Sequence, residues 1–260
     1  MPRSASAAHS LRSLALPGAS RILSMAIRLV VFDLDGTLID SRRDLSDSVN
    51  ALLVDLGAVP LDLDAVTAMV GEGAAVLVRR ALAASGLPAD TPRALDRFLA
   101  HYDERLTVHT RPYAGIPETL DELRSHGLAL AVLTNKPQRA SITILERLDL
   151  SRWFFQVIGG DTAAGRKPDP AGLMSIAKTA RAAPFETLLV GDSAIDLQTA
   201  HRAGSAICLA RYGFGLHLDG VPLRGDETFV DDPRELPALV RSFHAGTPDA
   251  PAPETSRSHT

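Results

Sequence analysis

Short apolar runs and amphipathic stretches take turns along most of the chain. The runs at about 29–33, 128–134, 187–191 and 205–209 are apolar at nearly every position, with a weaker one at 154–158. Continuous apolar runs of this length predict strands buried on both faces of a parallel sheet. Helical spacing recurs between them: Leu120 and Leu123 in a segment opening near Pro117 and Glu118, Ile142, Leu145 and Leu148 in the next, and Leu173, Ile176 and Ala177 in a third. Strands alternating with helices in this way predict right-handed βαβ units, and so an α/β fold built on a doubly wound parallel sheet.

The segment from Ser41 to about Thr110 breaks the alternation, because it carries no convincing strand. Leu45, Val49, Leu52, Leu53 and Leu56 form one helical face that stops at Gly57 and Pro60. Val76, Leu77, Arg80 and Ala81 mark a second helix before Gly86-Leu87-Pro88. Leu95, Phe98, Leu99, Tyr102 and Leu106 mark a third after Thr91-Pro92. The expected organisation is therefore an α/β core over 25–40 and 111–245, with a small all-helical domain, 41–110, inserted after the first strand.

Composition narrows the function classes. Hydrophobic residues make up 45% of the 260 positions, aromatic residues 5%, and the formal net charge is −4. A nucleic-acid partner calls for a basic stripe, which is lacking. No segment reaches the roughly 20 apolar residues of a membrane span. Cys208 is the single cysteine, which excludes an internal disulfide and fits a reducing, cytoplasmic setting; it sits in an apolar run as core filler. Residues 1–24 carry Arg3, Arg12 and Arg21 and no acid. They are expected to be a disordered extension, either a targeting segment or the product of a start upstream of Met25. Residues 246–260 are polar and proline-rich, and are expected to form a disordered tail.

The candidate chemistry lies where the apolar runs end. Asp33 and Asp35 stand at the exit of the first strand, in Val31-Phe32-Asp33-Leu34-Asp35-Gly36-Thr37-Leu38. In open parallel sheets ligands bind beyond the carboxyl ends of the strands. Two carboxylates this close repel unless a cation intervenes, and clustered carboxylate oxygens suit a hard ion such as Mg²⁺. Thr134 ends the second long run and is followed by Asn135-Lys136-Pro137. Lys167 sits in the constrained loop Gly165-Arg166-Lys167-Pro168, with Lys136 and Arg166 as neighbouring cations for comparison. Asp192 follows the run Leu188-Leu189-Val190-Gly191, and Asp196 lies one helical turn further on. Thr134 is either a phosphate contact or a cap of the next helix, and Asp196 is either a support to the site or an ordinary first-turn acid. The histidines, among them His101, His109, His126 and His201, show no ligand spacing.

This ordered set of motifs, from D-x-D-G-T-L through Thr134 and Lys167 to G-D-S-A-I-D, resembles the haloacid dehalogenase superfamily, most of whose members are phosphohydrolases. The resemblance runs from about Met25 to Gly215 and is closest to bacterial phosphoglycolate phosphatases, through V-G-E-G, L-T-N-K-P and V-G-D-S-A-I-D. It implies that the helical insert is a cap over the catalytic crevice. It further implies that Asp33 attacks phosphorus to give an aspartyl-phosphate and that Asp35 serves as acid and then base. Thr134, Asn135 and Lys167 would contact the phosphoryl group, and Asp33, the Asp35 main-chain carbonyl and Asp192 would hold Mg²⁺, with Asp196 holding a metal-bound water or Lys167. Gly71 and Glu72, in a break between cap helices, either point into the crevice as a substrate loop or form a simple helix–helix turn. The implied substrate is 2-phosphoglycolate or a similar small phosphorylated metabolite. The rival readings are a sugar phosphomutase or a phosphatase of another small sugar phosphate, a haloacid dehalogenase, against which Asp35 argues, and a non-catalytic phospholigand-binding module.

Overall fold

The structure, a computed structural model, describes residues 26–244 except 217 and 219. The expected extension at 1–24 and tail at 246–260 lie outside the described residues. The chain opens with strand β1 (Leu29–Phe32) and a two-residue strand β2 (Ile39–Asp40). Four helices follow: α1 (Arg42–Asp55), α2 (Leu63–Thr67), α3 (Ala74–Ala84) and α4 (Ala94–Arg105). Strand β3 (Arg111–Pro112) pairs antiparallel with β2, so the chain leaves for the helical insert and returns from it through one small ladder. The remainder is α5 (Ile116–Ser125), β4 (Ala129–Leu133), α6 (Gln138–Arg147), β5 (Gln156–Ile158), α7 (Ala171–Ala180), β6 (Thr187–Gly191), α8 (Ala194–Ala203), β7 (Ala206–Ala210), β8 (Thr228–Val230) and α9 (Leu236–His244).

The main sheet has the order β5-β4-β1-β6-β7-β8, with every pair parallel. It is the expected α/β doubly wound architecture, and β1 is central. Period-2 alternation along the strands divides the apolar residues between two layers. Val30 and Phe32 share one core with Leu130, Val132, Leu188 and Val190, whereas Leu29 and Val31 share the other with Leu133, Leu189, Leu173 and Leu197. All four β1 residues are buried, which is why the strand shows an unbroken apolar run.

The structure differs from the sequence expectation in several places. Ile142 is 37% exposed, whereas Leu145 is buried and Leu148 packs against the core as expected; α6 also buries Ala140, Ser141 and Ile144. Arg80 points outward from α3, which buries Leu77, Val78, Ala81 and Leu82. The short elements α2, β2, β3 and β8 carry too few residues to show a period. No helix among the described residues is long and apolar enough to cross a membrane.

The insert packs through α1 against α4, with Val49, Leu52, Leu53, Phe98 and Tyr102 in the same apolar cluster as Phe32 and Val190. The rings of Phe98 and Tyr102, one turn apart, stack at 5.7 Å. Asp44, fully buried in the first turn of α1, ties the two linkers together: its carboxylate accepts from the backbone N–H of His109 at 3.0 Å and from the N–H and hydroxyl of Thr110 at 2.8 and 2.7 Å. Asp44→Ala would strand those donors, each lost partner costing on the order of 1–3 kcal/mol. Urea unfolding followed by circular dichroism should show a loss of about 2–4 kcal/mol, with Asp44→Asn milder. A change within about 0.5 kcal/mol, as at an ordinary surface position, would contradict the bracing role.

Candidate active site

Three adjacent central strands, β4, β1 and β6, end at the same edge. Phe32 lies opposite both Val132 and Val190, so Asp33, one residue on, and Thr134 and Asp192, two residues on, leave the sheet at the same edge. The ladder persists one step beyond the strands, through Asp33 N–H to the Val190 carbonyl at 2.8 Å and Thr134 N–H to the Ile158 carbonyl at 2.9 Å. The side chains therefore leave a rigid base.

Asp33, Asp192 and Asp196 are all buried, and one carboxylate oxygen from each lies within 4.8 Å of the others. One ammonium stands among them: Lys167 Nζ is 2.9 Å from Asp33 Oδ1 and 2.6 Å from Asp196 Oδ1. Asp33 Oδ1 also accepts from Leu34 N–H at 2.7 Å, while no donor among the described residues reaches its Oδ2. Burial pushes the Asp33 carboxyl up to about 6, with Asp196 adding to the rise and Lys167 opposing it. Asp192 is raised well above the usual carboxylate range by burial first and then by Asp196 and Asp33. Lys167 stays above an ordinary lysine, because Asp196 and Asp33 outweigh the burial that would discharge it. Three acids to one ammonium is an excess of buried negative charge, and their hard oxygens fit a divalent cation. Both oxygens of Asp196 are engaged, one by Lys167 and the other by Ser193 N–H and Oγ. Asp33 and Asp192, which line the cavity while Asp196 does not, are the side chains placed to meet an ion there.

Asp192 is held by groups outside the expected set. Its Oδ2 accepts from Phe214 N–H at 3.1 Å and Gly215 N–H at 2.7 Å, and its Oδ1 from the Thr37 hydroxyl at 3.3 Å. Gly36 and Gly213 close the cradle: a Cβ on either would overlap Asp192, and one on Gly213 would also strike the Gly36 carbonyl. Gly36 has φ +83° besides, so both its conformation and its clearance require glycine. The Gly-Phe-Gly step after β7 was the available signal.

Asp35 belongs to a different group. Ser41 Oγ donates to its Oδ1 at 2.5 Å, and Lys136 Nζ lies 2.8 Å from both of its oxygens. Lys136, set aside in the sequence as a cation for comparison, is 5% exposed, with its ammonium 4.7 Å from the centre of the Tyr102 ring. Burial alone would lower its pKa; Asp35 and Tyr102 reverse that and hold it above an ordinary lysine. Arg166, by contrast, is exposed and donates to the Glu72 carbonyl at 3.2 Å.

Asp33, Asp35, Thr134, Lys136 and Asp192 face the apolar side chains Leu45, Val70, Leu77, Phe98 and Leu99 of the insert across a cavity of about 650 Å³, its open mouth included. Thr134 does not cap α6, whose N-cap is Pro137; its hydroxyl accepts from Lys136 N–H at 3.3 Å. Asn135 Nδ2 donates to the carbonyls of Gly71 and Lys167, both at 3.0 Å, and thereby ties the insert loop to the core. Its buried Oδ1 has no donor among the described residues. Lys167 is not on the cavity wall; it supports Asp33 from behind. Gly71 borders the cavity, but the Glu72 side chain does not. Its carboxylate pairs with Arg80 on α3. A second group of possible ligands, His201, Asp226 and Glu227, is assembled from residues too far apart in sequence for spacing to reveal.

The family model for haloacid dehalogenase-like hydrolases matches residues 30–210. The phosphoglycolate phosphatase of Pseudomonas syringae pv. tomato is 42% identical over 214 residues, which are 80% of this chain and 78% of that protein. That of Agrobacterium fabrum is 37% identical over 218 residues, 83% and 93% of the two chains. The crystal structure of a predicted phosphoglycolate phosphatase from Haemophilus somnus 129PT superposes with a TM-score of 0.75 at 31% identity, covering 82% of this chain and 98% of the other.

The glycine cradle can be tested directly. Gly213→Ala forces the loop off Asp192, and overpacking of this kind typically costs about 1–3 kcal/mol. A thermal melt should show a lower midpoint, and the midpoint rise that divalent ions give the wild type should shrink. An unchanged melt and an unchanged ion response would refute the tight fit.

Proposed function

We propose, for a chain that belongs to the haloacid dehalogenase-like hydrolase family and is a phosphatase, that its reaction is Mg²⁺-dependent hydrolysis of 2-phosphoglycolate to glycolate and inorganic phosphate. The carrying observation is that Asp33 and Asp35 share one cavity in two different settings. Asp33 keeps one oxygen without a donor among the described residues, and Asp35 is clamped at both oxygens by Lys136 and Ser41. The names of the relatives support the substrate.

In this reading the free oxygen of Asp33 forms a bond to phosphorus as the phosphorus–ester oxygen bond breaks, and Asp35 delivers a proton to the departing glycolate oxygen. Water then attacks phosphorus, Asp35 takes its proton, and the acyl-phosphate bond to Asp33 breaks to release phosphate. Lys167 opposes the burial that raises the Asp33 carboxyl and adds positive charge behind it, while Thr134 offers a hydroxyl to a phosphoryl oxygen. Asp33, Asp192 and the Asp35 main-chain carbonyl would hold Mg²⁺, whose charge would offset the acids and the phosphoryl oxygens. The helical insert, 41–110, acts as the cap that keeps water from the reacting atoms.

Asp33→Asn should retain the fold by circular dichroism and lose phosphate release from 2-phosphoglycolate by more than about 1,000-fold. Wild-type turnover in that variant would sink the nucleophile assignment. Mg²⁺ at about 100 times its dissociation constant should stabilise the metal-free wild type by about 2.7 kcal/mol. In a melt that is roughly 5–10 °C at about 2–4 °C per kcal/mol, and Asp192→Asn should abolish the response. An intact response in Asp192→Asn would remove that residue from the ion site.

A further inference from the structure

We propose that Lys136 selects the substrate, by receiving a carboxylate carried one or two carbons from the ester oxygen. This rests on the reading of Asp33 and Asp35 given above. Asp35 must come within hydrogen-bond reach of the leaving oxygen, and Lys136 Nζ is 2.8 Å from both oxygens of Asp35. A group attached to the leaving oxygen through one or two carbons therefore lies beside the Lys136 ammonium.

Lys136 is the single cation among the described residues that line the cavity. The other cations nearby are engaged elsewhere: Lys167 with Asp33 and Asp196, Arg42 with Asp40, and Arg166 with the Glu72 carbonyl. An ammonium has three donors; Asp35 uses at most two, and the Tyr102 ring face covers another side without accepting a full hydrogen bond. At 3% side-chain exposure the charge is shielded from water, a setting in which a charge-assisted hydrogen bond is strong.

The insert side of the wall disfavours larger polar substrates. Leu45, Val70, Leu77, Phe98 and Leu99 bring no side-chain donor or acceptor to the cavity. Each hydroxyl of a sugar phosphate set against these five side chains would lack a partner there, at a cost on the order of 1–3 kcal/mol; Tyr102, Asn135 and Ser193 are among the polar side chains elsewhere on the wall. A short phosphorylated acid has one polar end besides its phosphate, and Lys136 is there to meet it. Lys136 is thus a specificity-determining residue as well as the partner of Asp35.

The test uses the full-length protein with Mg²⁺ and compares 2-phosphoglycolate with ethyl phosphate, which has the same two-carbon ester and a methyl group in place of the carboxylate. The wild type should prefer 2-phosphoglycolate by about 100-fold in kcat/KM, and Lys136→Met should bring the ratio below about 5, with Lys136→Arg retaining part of the preference. Equal losses on both substrates in Lys136→Met would overturn the proposal, since they would mean that Lys136 acts only through Asp35. A wild-type ratio under about 10 would overturn it too, and needs no variant should Lys136→Met fail to fold. Hydrolysis of p-nitrophenyl phosphate by the wild type, lost in Asp33→Asn, separates the two readings. Its absence strikes at the phosphatase chemistry, whereas its presence without a carboxylate preference strikes at Lys136 alone.

Discussion

Buried charge is the constraint from which the rest of the site follows. Four carboxylates, Asp33, Asp35, Asp192 and Asp196, meet at one sheet edge with two ammonium groups, Lys136 and Lys167. An ionised carboxylate out of water is expensive unless it is paired and hydrogen-bonded. The fold answers locally for each acid: Lys167 bridges Asp33 and Asp196, Lys136 and Ser41 hold Asp35, and backbone N–H groups of Phe214 and Gly215 hold Asp192. The remaining negative excess suits the edge to a divalent cation.

The same economy of contacts joins the insert to the core. Asn135 spans from the Gly71 carbonyl to the Lys167 carbonyl, so the loop between insert helices and the loop carrying the buried lysine are fastened to one amide. Asp44 fastens the linkers, and the antiparallel pair β2–β3 aligns them. These polar ties orient the apolar face of α1, α3 and α4 over the acids. The cavity is consequently polar on the sheet side and apolar on the insert side, a division that would strengthen every charge interaction on its floor by keeping water out.

Legibility in the sequence followed the range of the interactions. Asp33, Thr134 and Asp192 could be placed because each terminates an apolar run, and a parallel sheet brings run ends to one edge whatever the rest of the chain does. The insert was visible because its helices bury long stripes such as Leu45, Val49 and Leu52. Lys136 was not distinguishable from Arg166, since two cations in loops after strands look alike until one is buried against Tyr102, a residue 34 positions earlier in the chain. The Gly213–Gly215 cradle and the turning of Glu72 towards Arg80 likewise depend on tertiary contacts that no local period records. Short elements such as β8 and α2 are defined by their neighbours, and so were silent.

Asp33 and Asp35 are two residues apart, yet they answer to different parts of the molecule. Every group that touches the Asp33 carboxylate comes from the α/β core. The setting of Asp35 is built from both sides, with Ser41 at the entrance to α1 and the Tyr102 ring of α4 acting through Lys136. A displacement of the insert would therefore leave the Asp33–Lys167–Asp196 bridge and the Lys136–Asp35 pair in place while removing Ser41 and the Tyr102 ring from the surroundings of Asp35. In the proposed mechanism, bond formation to phosphorus draws on the core alone, whereas proton delivery by Asp35 also draws on the insert. Because the insert also supplies the apolar wall of the cavity, that mechanism would couple substrate fit and proton delivery through the Lys136 ammonium group.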